Sequence, residues 1–152
     1  MEKEIKKAKF YSPLKVFMTK AKNFILNMNQ YRNTHFRLLN HTKINYKKFM
    51  ERQIIKSDSF GKVICIYTAY PKTNRRQDLG NVCSIHEKYF EDAMVEYGKL
   101  GDDDMRSIPL VIYRYGGVDP ENPRVDIDVV SIDDDTNKII DLLKKLIEEV
   151  IK

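Results

Sequence analysis

The sequence has little of what builds metal–thiolate sites, disulfide frameworks or membrane spans. Its 152 residues include two cysteines, three histidines and no tryptophan. Two cysteines form neither a disulfide framework nor a zinc site by themselves, so we expect Cys65 and Cys83 to be reduced and buried in a cytoplasmic protein. The longest apolar runs, such as residues 63–67, are too short to cross a bilayer, and no charged start leads into an apolar signal segment. Neither secretion by that route nor a membrane partner is expected.

Several catalytic motifs are also missing. The chain has no G-x-S-x-G elbow, no Walker A sequence, no C-x-x-C and no H-E-x-x-H. Three histidines leave little material for zinc chemistry. What the chain does have is charge, with 32% Asp, Glu, Lys and Arg, and 42% hydrophobic residues, which are enough for a core. A chain of this length fits a single domain.

The net charge of +5 conceals an asymmetry along the chain. Residues 1–62 contain 15 Lys and Arg against 4 Asp and Glu, whereas residues 101–152 contain 7 against 13. The middle, residues 63–100, is balanced, with 5 of each. This distribution predicts a basic surface for a polyanion and a separate carboxylate-rich part, which either holds a metal ion or is simply solvated.

Hydrophobic patterning predicts a single α+β domain, in which helices pack on one face of a mixed or antiparallel sheet. Residues 63–70 are the clearest strand, because β-branched and aromatic residues dominate and Pro71 follows. The other expected elements are strands near 14–18, 23–28, 110–115 and 125–132, a basic helix at 35–53 and a helix at 81–99. The expected divisions are a basic N-terminal extension (1–22), the main domain (23–135) and a C-terminal helix (136–152).

The C-terminal segment is predicted to be an amphipathic helix, because its apolar residues recur at spacings of three and four with Lys and Glu between them. Thr136 or one of Asp133–Asp135 would cap its start. A helix this apolar on one face needs a partner surface. Packing on its own sheet is the simpler expectation, and a dimer contact is the alternative.

The helix expected at 81–99 has an apolar and a polar side. At about 100° per residue, His86 lies on the apolar side, which favours a histidine satisfied in the core over a ligand or general base. The polar side carries a stripe of Asn81, Lys88 and Asp92, with Ser84 and Glu91 beside it. Alone, this stripe indicates an ordinary solvated face with a pair of opposite charges four residues apart.

Carboxylates flank this helix on both sides. Asp78 precedes it, after two arginines, and Asp102–Asp104 follow it. If both groups converge on the polar face, they form an oxygen-rich Mg²⁺ site, because like charges pack together only when a cation neutralises them. The alternative for residues 102–104 is a solvated turn. Asp126 and Asp128 fit the wet face of a sheet, and Asp133–Asp135 fit a helix start, so no metal is expected at either place.

Three segments have a distinctive spacing: RRQDLGN at 75–81, KYFEDAMVEYG at 88–98 and DDD at 102–104. Together they resemble the RusA family of Holliday-junction resolvases. RusA-like proteins carry an arginine-preceded Asp-x-Asp-Asn motif, a lysine on the following helix, an Asp-Ala pair, a glycine and then adjacent aspartates. The basic lead-in at 27–49 and the segment YGGVDPENPRVDIDV resemble phage-borne members, so the similarity spans about residues 23–131.

Carried over position by position, the resemblance implies that Asp78, Asp102 and Asp103 bind metal. It also implies that Lys88 stabilises charge on the reacting phosphate. One position departs from the motif, because its second aspartate is Gly80 here. With about 100° per residue on the helix, Asp92 is the best placed residue to replace this carboxylate, both as a metal ligand and as a catalytic residue, and Glu87 is the second choice.

The implied activity is that of a Mg²⁺-dependent endonuclease, with Mn²⁺ as an alternative ion, which resolves four-way DNA junctions by paired phosphodiester hydrolysis in DNA recombination and repair. Two symmetric cuts imply a homodimer, in a bacterial or phage-infected cytoplasm. The expected contacts to backbone phosphates are Arg32, Lys43, Lys47, Lys48, Arg75 and Arg76. Two other hypotheses stay open: a non-catalytic DNA-binding protein on the same scaffold, and a basic adaptor whose C-terminal helix binds a partner.

Overall fold

The computed structural model describes residues 6–132 and 136–151 of the chain. Four strands form the main sheet in the order β1-β6-β4-β5, and two short strands, β2 and β3, pair with each other. In chain order the elements are β1 (Lys7–Pro13), β2 (Lys15–Phe17), β3 (Asn23–Ile25), α1 (Met28–Arg32), α2 (Phe36–Lys56), β4 (Val63–Tyr70), α3 (Leu79–Glu96), β5 (Leu110–Tyr115), β6 (Arg124–Ser131) and α4 (Thr136–Ile151).

The main sheet is mixed. β4 runs parallel to β5 and antiparallel to β6, and β6 is antiparallel to β1. Alternate residues of β4, Val63, Cys65, Tyr67 and Ala69, belong to the core cluster that the helices complete. The expected α+β fold is therefore confirmed. Because α3 connects two parallel strands, the loop before it lies at the carboxyl edge of the sheet, where α/β proteins bind ligands.

The expected N-terminal extension needs correction, because residues 7–13 form β1 at the edge of the main sheet, paired with β6. Phe10 and Ser12 point inward and are buried, whereas Lys7, Lys9 and Tyr11 are exposed. Lysines are typical of edge strands, where they discourage pairing with other chains. Their charge concealed the alternation of buried and exposed residues, so these residues belong to the folded domain.

The two long helices lie close to their expected positions. α2 buries Thr42, Tyr46, Met50 and Ile54, which recur every fourth residue and face the core. α3 begins at Leu79 and ends at Glu96, so it starts two residues earlier and ends three residues earlier than expected. Gly98, with φ of +73°, follows the end of α3, which is the position where a left-handed residue commonly terminates a helix.

A buried hydrogen-bonded chain joins three elements across the core. The Ser12 hydroxyl lies 2.7 Å from the Tyr46 hydroxyl and 2.7 Å from His86 Nδ1. Burial lowers the pKa of His86 to about 3, so this imidazole is neutral at physiological pH. The prediction of a core histidine is confirmed. The two cysteines are likewise buried and free, and burial raises the pKa of Cys83 to about 12.

The C-terminal segment forms the expected helix, α4. Its residues Ile147, Val150 and Ile151 are exposed, the last two by about 80% of their surface, so this end of α4 is not packed on the sheet as expected. The dimer contact stays a prediction, and Asp133–Asp135 and the Thr136 side chain, the expected caps, lie outside the description. Among the described residues, no helix combines the length and the hydropathy that a membrane crossing requires.

Candidate functional site

A cavity of about 1150 Å³ opens beside the N-terminal end of α3, and we call it the basic cavity. Arginines from two distant parts of the chain line it, Arg32 at the end of α1 and Arg75 and Arg76 before α3. Asp78 and Asn81 come from the start of α3, and Tyr113 from β5. The structure therefore brings together three of the six expected phosphate contacts and one of the expected metal ligands.

Local hydrogen bonds hold α1, and with it Arg32, against α3. The Asn27 side chain caps α1 by accepting a 2.8 Å hydrogen bond from the Gln30 backbone N–H. The Asn29 backbone N–H donates to Asn81 Oδ1 at 3.2 Å and so joins the two helices. Lys88 stands 5.7 Å from the centre of the Tyr31 ring. These contacts explain why a five-residue helix keeps a fixed position beside α3.

The electrostatics of the basic cavity favour an anion. No carboxylate in residues 6–132 and 136–151 forms an ion pair with any of its three arginines. Asp78 is the N-cap of α3, yet its side chain makes no capping hydrogen bond. The positive end of the helix dipole is directed at this cavity, and helix N-termini are common sites for phosphate. Ser84 also lines the cavity, and its buried Oγ makes no hydrogen bond.

The expected four-aspartate metal site does not form. Asp92 lies fourteen positions after Asp78, which is about 21 Å along an α-helix. Partial desolvation and a hydrogen bond with Asp102 raise the pKa of Asp103, and the charge of Asp92 contributes less. Within the described part of the chain, no three His, Cys, Asp or Glu side chains are grouped to hold a metal ion. The length of α3 keeps Asp78 apart from the other aspartates.

A different set of acidic residues lies on α3 beyond its first two turns and in the segment that follows the helix, and we call it the acidic cluster: Glu87, Glu91, Asp92 and Asp103. Tyr67 and Tyr113 are register partners on β4 and β5, and their hydroxyls lie beneath this part of the helix. The Tyr67 hydroxyl donates to Glu91 Oε1 at 3.0 Å, and the Tyr113 hydroxyl donates to Glu87 Oε2. One turn of helix separates the two glutamates, so each meets one tyrosine.

The acidic cluster changes the protonation of Glu91. Burial, followed by the charge of Glu87, raises the pKa of Glu91 to about 8, with smaller contributions from Asp103 and Asp92. The hydrogen bond from Tyr67 acts in the opposite direction. Glu91 was expected beside the polar stripe but is only 7% exposed. A carboxyl group with this pKa is mostly neutral near pH 7, so the cluster carries less charge than its residues suggest.

The other expected phosphate contacts lie elsewhere. Lys43, Lys47 and Lys48 are on α2, and none lines the basic cavity. Lys47 forms an ion pair with Glu96 of α3, which engages its charge within the protein. Lys88, expected to act on the reacting phosphate, is exposed and does not line the cavity either. The three arginines beside the N-terminal end of α3 therefore locate a candidate phosphate site more narrowly than the overall positive charge of residues 1–62 does.

One acidic residue expected on the wet face of the sheet is instead buried. Asp126 is 3% exposed and accepts a 2.8 Å hydrogen bond from Arg124 Nε. The Arg124 guanidinium also binds Asp119 and lies 4.4 Å from the centre of the Tyr70 ring. This arrangement closes the loop between β5 and β6 beside the carboxyl edge of the sheet. The Arg124 guanidinium thus engages both Asp119 and Asp126 within the protein.

Comparison with protein-family models finds no match for the chain, and comparison with curated proteins finds none either.

Proposed function

We propose that this chain binds DNA through the basic cavity and acts as a structure-selective endonuclease of the RusA type on four-way junctions. The observation that supports this most directly is the meeting of Arg32, Arg75, Arg76 and Asp78 at the start of α3. Three of these four lie in the motif-bearing segment or immediately before α3, and the fourth comes from the basic lead-in. Arginines that form no ion pair with a carboxylate in the described part of the chain, and that lie beside a helix N-terminus, suit a backbone phosphate.

In this proposal the arginines bind and orient a DNA phosphate, and Asp78 faces the same space. Mg²⁺ is commonly held by one or two carboxylates together with substrate phosphate oxygens and water, so Asp78 alone suits an ion that arrives with DNA. The ion would polarise the phosphoryl oxygen and lower the pKa of the attacking water. Asp92 lies about 21 Å further along α3 and Asp103 follows the end of that helix, so neither shares the ion in this proposal. Paired cutting would require a homodimer, with one cavity for each strand.

A second candidate function is junction binding without cleavage. Two observations favour it. Gly80 replaces a motif carboxylate, and the remaining aspartates expected as ligands lie in the last turns of α3 or beyond its C-terminal end. The two proposals share the basic cavity and differ only in whether one aspartate supports hydrolysis.

A cleavage assay on a synthetic four-way junction separates the two. With Mg²⁺, we expect the wild-type protein to make paired cuts, Asp78→Asn to lose at least about 100-fold in rate while still binding the junction, and Asp103→Asn to cleave as the wild type does. Binding without cleavage in both Mg²⁺ and Mn²⁺ would establish the second candidate. If the affinity for DNA does not depend on salt, both are wrong and the adaptor hypothesis gains support.

A further inference from the structure

A second cavity, of about 430 Å³, lies on the other side of the segment 75–78, and we call it the apolar cavity. It shares Arg75, Arg76 and Asp78 with the basic cavity. Its walls are mostly apolar and come from the ends of β4 and β5, the start of α3 and the junction between β1 and β2: Leu14, Ala69, Pro71, Leu79, Val82 and Tyr115. The two cavities therefore adjoin across one short segment.

Three amide side chains are among the polar groups that line the apolar cavity. The side chains of Asn27, Asn74 and Gln77 lie along it, and Asn74 and Gln77 are exposed. An amide side chain presents a donor and an acceptor together, which matches the paired donor and acceptor groups on the edge of a nucleobase. Tyr115, which is 59% exposed, contributes an aromatic ring on which a base can stack.

We propose that the apolar cavity receives an unpaired nucleobase whose flanking phosphate lies in the basic cavity. This inference rests on the proposed DNA binding and adds the part of the DNA that is recognised. Charge complementarity favours this occupant over an apolar peptide, because the entrance is bordered by two arginines and a nucleotide carries its anionic phosphate next to its base. Proteins that extract bases hold them between apolar or aromatic side chains and hydrogen-bond their edges.

The test compares two DNA duplexes that differ only at one bulged position, which holds either adenine or an abasic sugar. We expect the wild-type protein to bind the adenine bulge about tenfold more tightly, which is the usual scale of one stacked base. Tyr115→Ala should abolish this difference and leave the affinity for the abasic bulge unchanged. Because Tyr115 is exposed, this substitution should not prevent folding. Asn74→Ala, which removes an amide that lines another part of the same cavity, should reduce the preference for the adenine bulge.

Tyr11→Ala is the matched control, since Tyr11 is an equally exposed tyrosine (50%) on β1, at the opposite edge of the sheet. It should retain the full preference for the base. Equal affinity of the wild-type protein for both duplexes, or an equal loss on both with Tyr115→Ala, would overturn the nucleobase proposal while leaving the phosphate contacts intact. If the wild-type protein shows no salt-dependent binding to DNA, the proposed function is refuted, and the nucleobase proposal with it.

Discussion

Opposite charges lie at two places along α3, and they differ in how they are solvated. Beside the N-terminal end of the helix, three arginines from α1 and from the loop before α3 surround an open cavity, and each is exposed. Further along the helix, Glu87 and Glu91 face the sheet, and the tyrosines of β4 and β5 donate hydrogen bonds to them. Exposed guanidinium groups keep their charge and can exchange water for phosphate, whereas a buried carboxyl group avoids the cost of desolvation by taking up a proton.

The region beside the N-terminal end of α3 is therefore suited to binding a ligand, whereas the glutamates further along the helix affect the stability of the fold. The basic cavity has unpaired charge and space, which are what a polyanion requires. The acidic cluster has burial and internal hydrogen bonds, which couple its protonation to folding. Acidic residues at different positions along α3 therefore have different roles: Asp78 faces a cavity, while Glu91 belongs to the contact between helix and sheet.

The largest effect is expected at the basic cavity. Replacing Arg32, Arg75 and Arg76 together by alanine should weaken junction binding at least about 1,000-fold at low salt, because each arginine–phosphate contact is worth about 1.5 kcal/mol or more. The slope of log K against log salt concentration should fall by nearly 3, since each phosphate contact contributes about 0.9. Fluorescence anisotropy over a series of salt concentrations measures both quantities.

The matched control removes the same charge from α2, with Lys43, Lys48 and Arg52 replaced by alanine. All three lie outside the basic cavity, so the control variant should lose much less affinity and change the slope by less than about 1. An equal loss in the two variants would show that DNA contacts the exposed face of α2, and the comparison between the ends of α3 would no longer explain binding.

The next effect concerns stability at Glu91. Its folded-state pKa of about 8 exceeds the ordinary value of 4.5, so the unfolded chain ionises first and the protein loses stability as the pH rises from about 4.5 to about 8. Glu91→Gln removes this titration and keeps an acceptor for Tyr67. At pH 8 we expect the variant to be more stable than the wild type by about 3 kcal/mol, because each pKa unit corresponds to about 1.4 kcal/mol and residual solvation reduces the total.

Urea unfolding between pH 6.5 and 8 is the appropriate measurement, because the neutral His86 contributes its own pH dependence only below about 6.5, where stability is lost as the pH falls. Glu96→Gln is the control on the same helix: Glu96 is exposed and paired with Lys47, so its replacement should change stability by less than about 1 kcal/mol. A Glu91→Gln variant that is less stable than the wild type at pH 8 contradicts the assignment.

The sequence predicts the strands at 63–70 and 110–115 with their observed bounds, because their apolar β-branched and aromatic residues form uninterrupted runs. It fails at β1, where lysines on the solvent side hide a half-buried edge strand. The spacing of about 100° per residue places His86 on the buried side of α3 correctly, but it misses the burial of Glu91. This spacing describes one helix alone and contains no information about Tyr67, which lies beneath Glu91.

The site divides in the same way. Arg75, Arg76 and Asp78 are neighbours in the sequence, and the motif identifies them together. Arg32 lies beside them only because α1 contacts α3. The positive charge of residues 1–62 predicts a basic surface, but it does not identify which of these residues line the cavity. The sequence predicts the helix between Asp78 and Asp103, and the expectation that the two aspartates meet fails because a helix of 18 residues places its ends about 27 Å apart.

The smallest effect tests how far the acidic cluster extends. Asp103 contributes to the raised pKa of Glu91, so Asp103→Asn should lower that pKa and stabilise the protein at pH 8 by less than about 0.5 kcal/mol, as expected for an exposed charge. Carbon-13 NMR titration of the Glu91 carboxyl group resolves such a shift. Asp78→Asn should leave it unchanged, because its charge is about 20 Å away along the helix and is screened over about 8 Å at physiological salt. A shift of equal size in both variants would mean that the two ends of α3 share one electrostatic environment.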